Sequence, residues 1–300
     1  MKATRSTPID TLRILGICAI VIGHTTPVAR DALFIWHVPL FFFLTGWLWR
    51  DRPLRAELGT RFRTLLVPYV WWLAVVGAVF VAVYAIRERS LPLRAVVDAV
   101  YGGTVGRPFT TFWFFSALFV AAVVWRVTPA RARLVVAAAG LAALTFAGPQ
   151  LSAAPLAVAV GACCVFFVAA GQLARTVRLP WQVGAVLAVV GVTAAAVDVV
   201  APLDLKYGDV GTPVASVAVS VLICWGALVT AEHWVPQAPW VSSLAAVGTP
   251  VILVHPLLLF VLGTGDGSLV EFVGVLVVSW LIGLGVARTS LRPRLVGASA

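Results

Sequence analysis

The chain has 300 residues, of which 61% are hydrophobic and 11% charged, and its formal net charge at pH 7 is +10. Apolar stretches long enough to cross a bilayer recur along the whole sequence, which indicates a polytopic membrane protein and excludes a soluble globular class. The positive balance does not indicate a nucleic-acid partner, because the arginines lie almost entirely between apolar stretches, where membrane orientation and lipid headgroups account for them.

The apolar stretches predict about ten transmembrane helices of roughly 16 to 23 residues each. They lie at residues 9–28, 33–49, 64–86, 111–126, 134–150, 154–174, 181–200, 213–231, 241–262 and 269–287. The first follows Lys2 and Arg5, and we interpret it as a retained anchor because no convincing small-residue cleavage site follows it. We therefore expect an all-α fold and a single integral-membrane domain over residues 1–300.

The basic residues predict the orientation of these helices. Of the 22 Lys and Arg residues, sixteen fall in loops and ends that face the cytoplasm if both termini are cytoplasmic. The other six are Arg30, Arg87, Arg89, Arg94, Arg107 and Lys206. This asymmetry follows the positive-inside rule and favours ten spans with both termini cytoplasmic. We expect a multi-pass protein of a cell membrane, of the bacterial inner-membrane type, with the lipid bilayer as a partner.

Three polar residues share the first predicted helix. Arg13 and His24 are eleven residues apart, which returns to within about 20° of the same helix face, over an axial rise of about 16 Å. Asp10 precedes Arg13 by three residues and is close enough for an ion pair. Charged and imidazole groups are costly inside a membrane, so this face is a candidate functional site.

Two further histidines are predicted at the depth of His24. His37 begins the second predicted helix, and His255 reaches the same layer from the other side of the membrane. Pro39 falls in the first turn of its helix, where its missing N–H costs little. The three histidines predict a cavity in one half of the membrane, although a single histidine can also simply bond to a neighbouring helix.

The four cysteines, Cys18, Cys163, Cys164 and Cys224, all fall within apolar stretches. Their positions indicate neither a disulfide framework nor a metal-ligand spacing. We expect no metal and no permanently bound cofactor.

Five sequence blocks in order resemble the membrane-bound acyltransferase-3 family, especially its fucose-O-acetylase-like members. The blocks read IDTLRILGICAIVIGH, HVPLFFFLTGWLW, RFRTLLVPY, FWFFSALF and VGTPVILVHPLL. The resemblance covers most of the chain and includes the spacing between Arg13 and His24. It implies transfer of an acyl group, usually acetyl from cytoplasmic acetyl-CoA, to a hydroxyl of a sugar or cell-envelope glycan.

The resemblance also implies roles for individual residues. His24 matches the family's essential histidine, and Arg13, with Asp10 as its partner, the basic residue of the motif. Arg61 and Arg63 match a donor-binding arginine pair, but the usual separation by two residues is shortened and Thr64 occupies the second position. The chemistry agrees, because a hydroxyl needs a base before it can attack a thioester, and guanidinium groups suit the phosphates of coenzyme A.

The acceptor side is less defined by the sequence. Trp113 and Ser116 are expected to line the same pocket as His37 and His255. Asp204, Tyr207 and Asp209 in the loop PLDLKYGD could contact a sugar, although such a loop can also be simply solvated.

Two other functional classes remain open. A proton-coupled transporter or a flippase of a lipid-linked glycan could use the same histidines, and prolines at positions 39, 68 and 250 would suit its discontinuous helices. Against it, no two-fold repeat is evident and few acidic residues lie within the predicted helices. A noncatalytic scaffold would leave the alignment of Arg13 with His24 unexplained.

Overall fold

The computed structural model describes residues 6–26, 30–88, 93–101, 106–262 and 267–297. Within these ranges the chain forms sixteen α-helices and one isolated antiparallel bridge, between Asp204 and Asp209. Helices α1 to α16 are Thr7–Thr25, Arg30–Phe34, His37–Trp47, Leu54–Arg61, Val67–Glu88, Leu93–Tyr101, Phe112–Val127, Arg133–Ser152, Val158–Cys163, Val165–Ala174, Trp181–Ala196, Ala215–Trp234, Pro239–Ala246, Gly248–Leu262, Leu269–Ala287 and Arg292–Leu295. The predicted all-α class is confirmed.

In the described part of the chain, five helical segments are long and apolar enough to cross a membrane, or seven if each of two bent pairs forms one span. The five segments are Thr7–Thr25, Leu54–Arg87, Ala130–Ser152, Ala215–Trp234 and Leu269–Ala287. Every predicted span overlaps helical structure, but α3, α7 and α11 have only 11, 16 and 16 residues. These three are shorter than the roughly 20 residues that a full crossing needs. Ten spans and cytoplasmic termini stay predictions.

Two predicted spans are broken rather than continuous. The segment predicted at 154–174 consists of Pro155–Cys163 and Val165–Ala174, bent by 41°. The segment predicted at 241–262 consists of α13 and α14, bent by 50°. The second bend has a local cause, because Pro250 has no N–H for the carbonyl of Ala246, the last residue of α13.

A short π-helical segment, Phe62–Leu66, joins α4 to α5. Pro68 follows it, and it cannot donate a hydrogen bond to the carbonyl of Thr64 four residues earlier. Such irregular turns within a helix are frequent at functional sites. Arg61, just before this segment, and Thr64, within it, line a cavity described below.

The centre of the molecule is an aromatic core formed by α3, α7 and α10. Phe42, Phe112 and Phe167 are fully buried there. Helices α3 and α10 cross at Gly46 and Gly171, where added Cβ atoms would lie 1.9 and 2.0 Å from backbone oxygens of the other helix. The contact therefore requires glycine at both positions, and it fixes α3, the helix that carries His37.

Candidate active site

The first candidate site is a cavity of about 270 Å³ at the C-terminal end of α1. We name it the histidine cavity, because His24 and His37 line it. The rest of its wall comprises Ile20, Gly23, Arg30, Phe34, Val38, Arg107, Thr110, Thr111, Trp113, Phe114, Leu203, Asp204, Leu205, Lys206, Tyr207 and Ile252. The structure thus brings together two of the predicted histidines and Trp113.

The packing of α1 against α14 brings His24 to His255. A Cβ atom on Gly248 would lie 2.4 Å from Cδ1 of Ile17, so the absence of a side chain lets the helices approach closely. His24 follows Ile17 by seven residues, and His255 follows Gly248 by seven, which is about two turns on each helix. The helices therefore run parallel here, and the two imidazole rings stack with centroids 5.1 Å apart.

A chain of hydrogen bonds fixes the tautomers of these two histidines. His255 Nδ1 lies 3.0 Å from the Val251 carbonyl oxygen, which can only accept, so Nδ1 of neutral His255 carries the proton. His255 Nε2 must then accept, and it lies 2.8 Å from His24 Nδ1, which donates. This order leaves the lone pair of His24 on Nε2, where it can take a proton from a bound molecule.

His37 is held by a separate hydrogen bond. Its Nδ1 donates to the Leu33 carbonyl oxygen at 2.7 Å, and its ring meets Phe34 edge-on with centroids 4.8 Å apart. In the neutral form its Nε2 is therefore also an acceptor. Pro39 occupies the first turn of α3, as predicted.

The structure places Trp113 and Ser116 differently, although they lie on one helix, α7. Trp113 lines the histidine cavity. Ser116 is buried, lines neither this cavity nor the second one, and donates its hydroxyl to the Trp113 carbonyl at 2.9 Å. Its role toward the acceptor stays a prediction.

The histidine cavity also contains charged residues that were not predicted as site residues. Arg30, Arg107 and Lys206 were expected only as loop charges, whereas all three line the cavity. The sequence feature that distinguishes them is their position in predicted outer loops, where the positive-inside rule expects few cations. Of the loop residues considered as sugar contacts, Asp204 and Tyr207 line the cavity. Asp209 instead accepts a hydrogen bond from the Gly211 backbone N–H at 2.8 Å.

Specific contacts hold these cations. The Arg107 guanidinium donates to the backbone carbonyl of His24. Lys206 Nζ donates to Thr110 Oγ1 at 2.9 Å, and an Arg30 nitrogen lies 3.6 Å from an Asp204 carboxylate oxygen. Burial lowers the pKa of Lys206 to about 8, whereas Asp204 opposes that shift. Lys206 is therefore still mainly protonated at pH 7.

A second cavity, of about 320 Å³, lies at the N-terminal end of α1. We name it the arginine cavity, because Arg13 and Arg61 line it. Its remaining wall comprises Ile17, Phe41, Leu44, Thr45, Leu48, Thr64, Leu65, Phe114, Phe115, Leu118, Ala245, Ala246, Gly248, Thr249, Ile252, Val296 and Gly297. The bend between α13 and α14, the π-helical segment and the C-terminal segment thus meet around it.

The predicted ion pair on α1 is confirmed. An Arg13 guanidinium nitrogen lies 3.0 Å from Asp10 Oδ1, and Asp10 is only 1% exposed. Asp10 lines neither cavity, and it contacts Arg13, which lines the arginine cavity.

The two arginines expected at the donor site do not share one cavity. Arg61 lines the arginine cavity and its Nε donates to the buried Glu57 at 2.7 Å. Arg63 instead lines a shallow depression with Arg55 and Gly59. Residues two apart point about 200° apart around a helix, so the shortened spacing separates them. Thr64 returns to the arginine cavity.

Phe114 and Ile252 line both cavities. The histidine cavity and the arginine cavity therefore lie on opposite sides of a layer that these two side chains help to form. Since Arg13 and His24 lie on α1 about 16 Å apart along the axis, the two cavities together follow one face of that helix.

Comparison with known protein families identifies this helical membrane protein as an acyltransferase. The acyltransferase-3 family model, described as an acyltransferase domain, matches residues 8–288. The chain belongs to the acyltransferase-3 family. No curated protein and no solved structure matches this chain.

Proposed function

We propose that this acyltransferase is an O-acyltransferase that moves an acetyl group from cytoplasmic acetyl-CoA to a hydroxyl of a sugar or cell-envelope glycan. His24 serves as the general base. The observation that carries the proposal is the hydrogen-bond chain from Val251 through His255 to His24, which leaves His24 Nε2 as an acceptor at the histidine cavity.

The reaction needs one proton acceptor and no redox step. The acceptor hydroxyl gives its proton to His24 Nε2 while its oxygen attacks the thioester carbonyl carbon. The tetrahedral intermediate collapses, the C–S bond breaks, and the departing thiolate of coenzyme A takes the proton back from His24. His255 is a positioning residue, because its Nε2 accepts from His24 Nδ1 in the neutral and in the protonated state of His24.

The donor is assigned to the arginine cavity. Arg61 and Arg13 present guanidinium groups there, and such groups make paired hydrogen bonds to phosphate oxygens. Arg55 and Arg63, in the neighbouring depression, are placed to meet further phosphates of coenzyme A. The pantetheine arm then runs along α1 and brings the thioester past Phe114 and Ile252 to His24.

A transporter is the second candidate, and one observation favours it. Two cavities separated by a thin layer, beside the bend at Val247 between α13 and α14, also suit alternating access of a substrate. A proton-coupled transporter would not cleave a thioester, so thiol release separates the two candidates.

The test uses the full chain, purified in detergent, with acetyl-CoA and a panel of sugars and lipid-linked glycans. Thiol release and the gain of one acetyl group by the acceptor are measured together. His24→Gln should abolish both, whereas His233→Gln is the matched control, because His233 is exposed and stacks on Trp181 in another part of the molecule. Wild-type protein that releases no thiol with any acceptor would contradict the enzyme and favour the transporter.

A further inference from the structure

The charge of the histidine cavity is not explained by base catalysis. Among the described residues that line it, Arg30, Arg107 and Lys206 are cations and Asp204 is the carboxylate. Three positive charges and one negative charge leave two positive charges in excess. A hydroxyl acceptor without charge needs none of them.

Lys206 is the most informative of these cations, because it is buried. It is 8% exposed and belongs to the turn Leu205–Tyr207, whose three residues line the cavity. Burying an ammonium costs free energy unless polar or charged groups replace its water. Thr110 and the Tyr207 ring, 5.4 Å away, replace part of that water. An anion in the cavity would lie beside this ammonium.

Arg107 brings a second cation close to the proposed base. Its guanidinium donates to the backbone carbonyl of His24 itself. A guanidinium has five N–H donors in a rigid plane, and this carbonyl accepts from one of its nitrogens. An oxyanion bound by Arg107 would therefore lie next to the residue that takes the hydroxyl proton.

Arg30 and Asp204 complete the arrangement. The Arg30 guanidinium lies 3.6 Å from Asp204 and 4.7 Å from the centre of the Phe34 ring. Asp204 therefore lies close to Arg30, and its charge also acts on Lys206, so one carboxylate is shared by these two cations. The volume of about 270 Å³ is near the lower end of the ~300–1,000 Å³ usual for small-molecule sites. It suits one sugar unit rather than a polymer segment.

We infer that the acceptor is an anionic sugar, whose carboxylate or phosphate is bound by Lys206 and Arg107 while a nearby hydroxyl faces His24. Lys206 is the residue that determines this specificity. The inference rests on the proposed function, and it names the class of substrate that the function leaves open. Carboxylate and phosphate share the required chemistry, since both accept charge-assisted hydrogen bonds from ammonium and guanidinium groups.

The test compares three probes that differ only at carbon 6: methyl glucoside, methyl glucuronide and methyl glucoside 6-phosphate. Their binding to the detergent-purified full chain is measured by calorimetry at low salt, without acetyl-CoA. We expect at least one anionic probe to bind about tenfold more tightly than the neutral one. Tighter binding of the glucuronide would indicate recognition of a carboxylate, and tighter binding of the 6-phosphate would indicate recognition of a phosphate. The preference should shrink as salt is added, because salt screens exposed charges.

Two variants and one control locate the effect. Lys206→Gln should reduce the preference to threefold or less, and Lys206→Arg should keep most of it. Arg94→Gln is the matched control, because Arg94 is an exposed cation of α6 outside the cavity, and it should leave the preference unchanged. Equal binding of all three probes, no binding of either anionic probe, or a preference that survives Lys206→Gln would overturn the inference.

The result is separable from the proposed function. Thiol release with a neutral acceptor and no anion preference would overturn this inference and leave the acyltransferase standing. An anion preference that depends on Lys206, without thiol release from acetyl-CoA, would support the anion site and contradict the proposed reaction.

Discussion

His24 Nδ1 lies 2.8 Å from His255 Nε2, and the two rings are stacked with an angle of 20° between their planes. The contact joins residues 231 positions apart in sequence. This hydrogen bond determines which nitrogen of His24 holds the lone pair. We therefore expect substitutions of His255 to change the rate of the reaction.

Replacing His255 should slow the reaction without removing the base. In His255→Phe the His24 ring loses the acceptor that holds Nδ1–H, so Nε2 is no longer fixed as the free position. We expect kcat to fall about 10- to 100-fold, less than the 10²- to 10⁴-fold typical of losing a general base. His255→Asn, whose amide oxygen can accept, should recover part of that loss. Equal turnover in both variants would show that His255 only fills space.

The donor assignment predicts unequal effects of two neighbouring arginines. Arg61→Gln, made together with Glu57→Gln so that no buried carboxylate is left unpaired, should weaken acetyl-CoA binding about tenfold. Arg63→Gln should weaken it by about threefold, because that side chain lies in the shallow depression. Calorimetric titration of acetyl-CoA gives both values. The exposed Arg178→Gln is the control, and a loss in it as large as in the double variant, whose net charge is unchanged, would contradict the donor assignment.

The C-terminal segment should support the arginine cavity through Gly297. This residue has φ +72°, and a Cβ there would lie 2.7 Å from Pro68 Cγ and from the Thr64 carbonyl oxygen. Gly297→Ala should therefore destabilise the folded protein by about 1–3 kcal/mol and weaken acetyl-CoA binding. Thermal unfolding in detergent measures the first effect. Gly274→Ala, where an added Cβ meets nothing within 4 Å, should not lower stability.

The anion preference of the histidine cavity should depend on pH. Because burial lowers the pKa of Lys206 to about 8, the ammonium is charged below that pH and neutral above it. The charged or titratable groups around it in the cavity are Arg30, Arg107, Asp204, Tyr207, His24 and His37. The carboxylate of methyl glucuronide stays ionised throughout, so its advantage over methyl glucoside should decline between pH 7 and 9. In Lys206→Arg the advantage should persist at pH 9, since arginine stays protonated. An unchanged wild-type ratio over this range would remove Lys206 from anion binding.

The topology prediction can be checked with two exposed arginines. In a protein whose native cysteines are replaced, a membrane-impermeant maleimide applied to intact cells should label Arg94→Cys and not Arg131→Cys. Permeabilised cells should show labelling at both positions. This outcome follows from the positive-inside orientation, which puts residue 94 outside and residue 131 in the cytoplasm. Labelling of both in intact cells would contradict the predicted arrangement.

Sequence reasoning succeeded where the relevant distance lies within one helix. The ion pair between Asp10 and Arg13 can be predicted from the helical repeat alone, and the structure confirms this ion pair. The same repeat, applied to the separation of two residues from Arg61 to Arg63, places them on different faces of a helix, whereas the family motif treats them as a pair.

Contacts between different helices could not be predicted from the helical repeat. Residue counting placed His24 and His255 at one depth, but their contact depends on the lateral packing of α1 against α14 at Ile17 and Gly248. The cations of the histidine cavity were missed for a similar reason. Lys206 lies in a loop, and its burial follows from how the turn Leu205–Tyr207 folds over the cavity rather than from any local periodicity.

The layer shared by the two cavities has a consequence for the cell's energy supply. Phe114 and Ile252 belong to the wall of both, so in the proposed reaction the pantetheine arm reaches past them and only the acetyl group stays in the histidine cavity when coenzyme A withdraws. The same side chains must also resist the leakage of protons and ions, which would dissipate the membrane potential. If the protein spans an energised membrane, as the sequence predicts, apolar bulk at these two positions provides electrical insulation. We expect a polar or small replacement there to be harmful even to a cell that never uses the modified sugar.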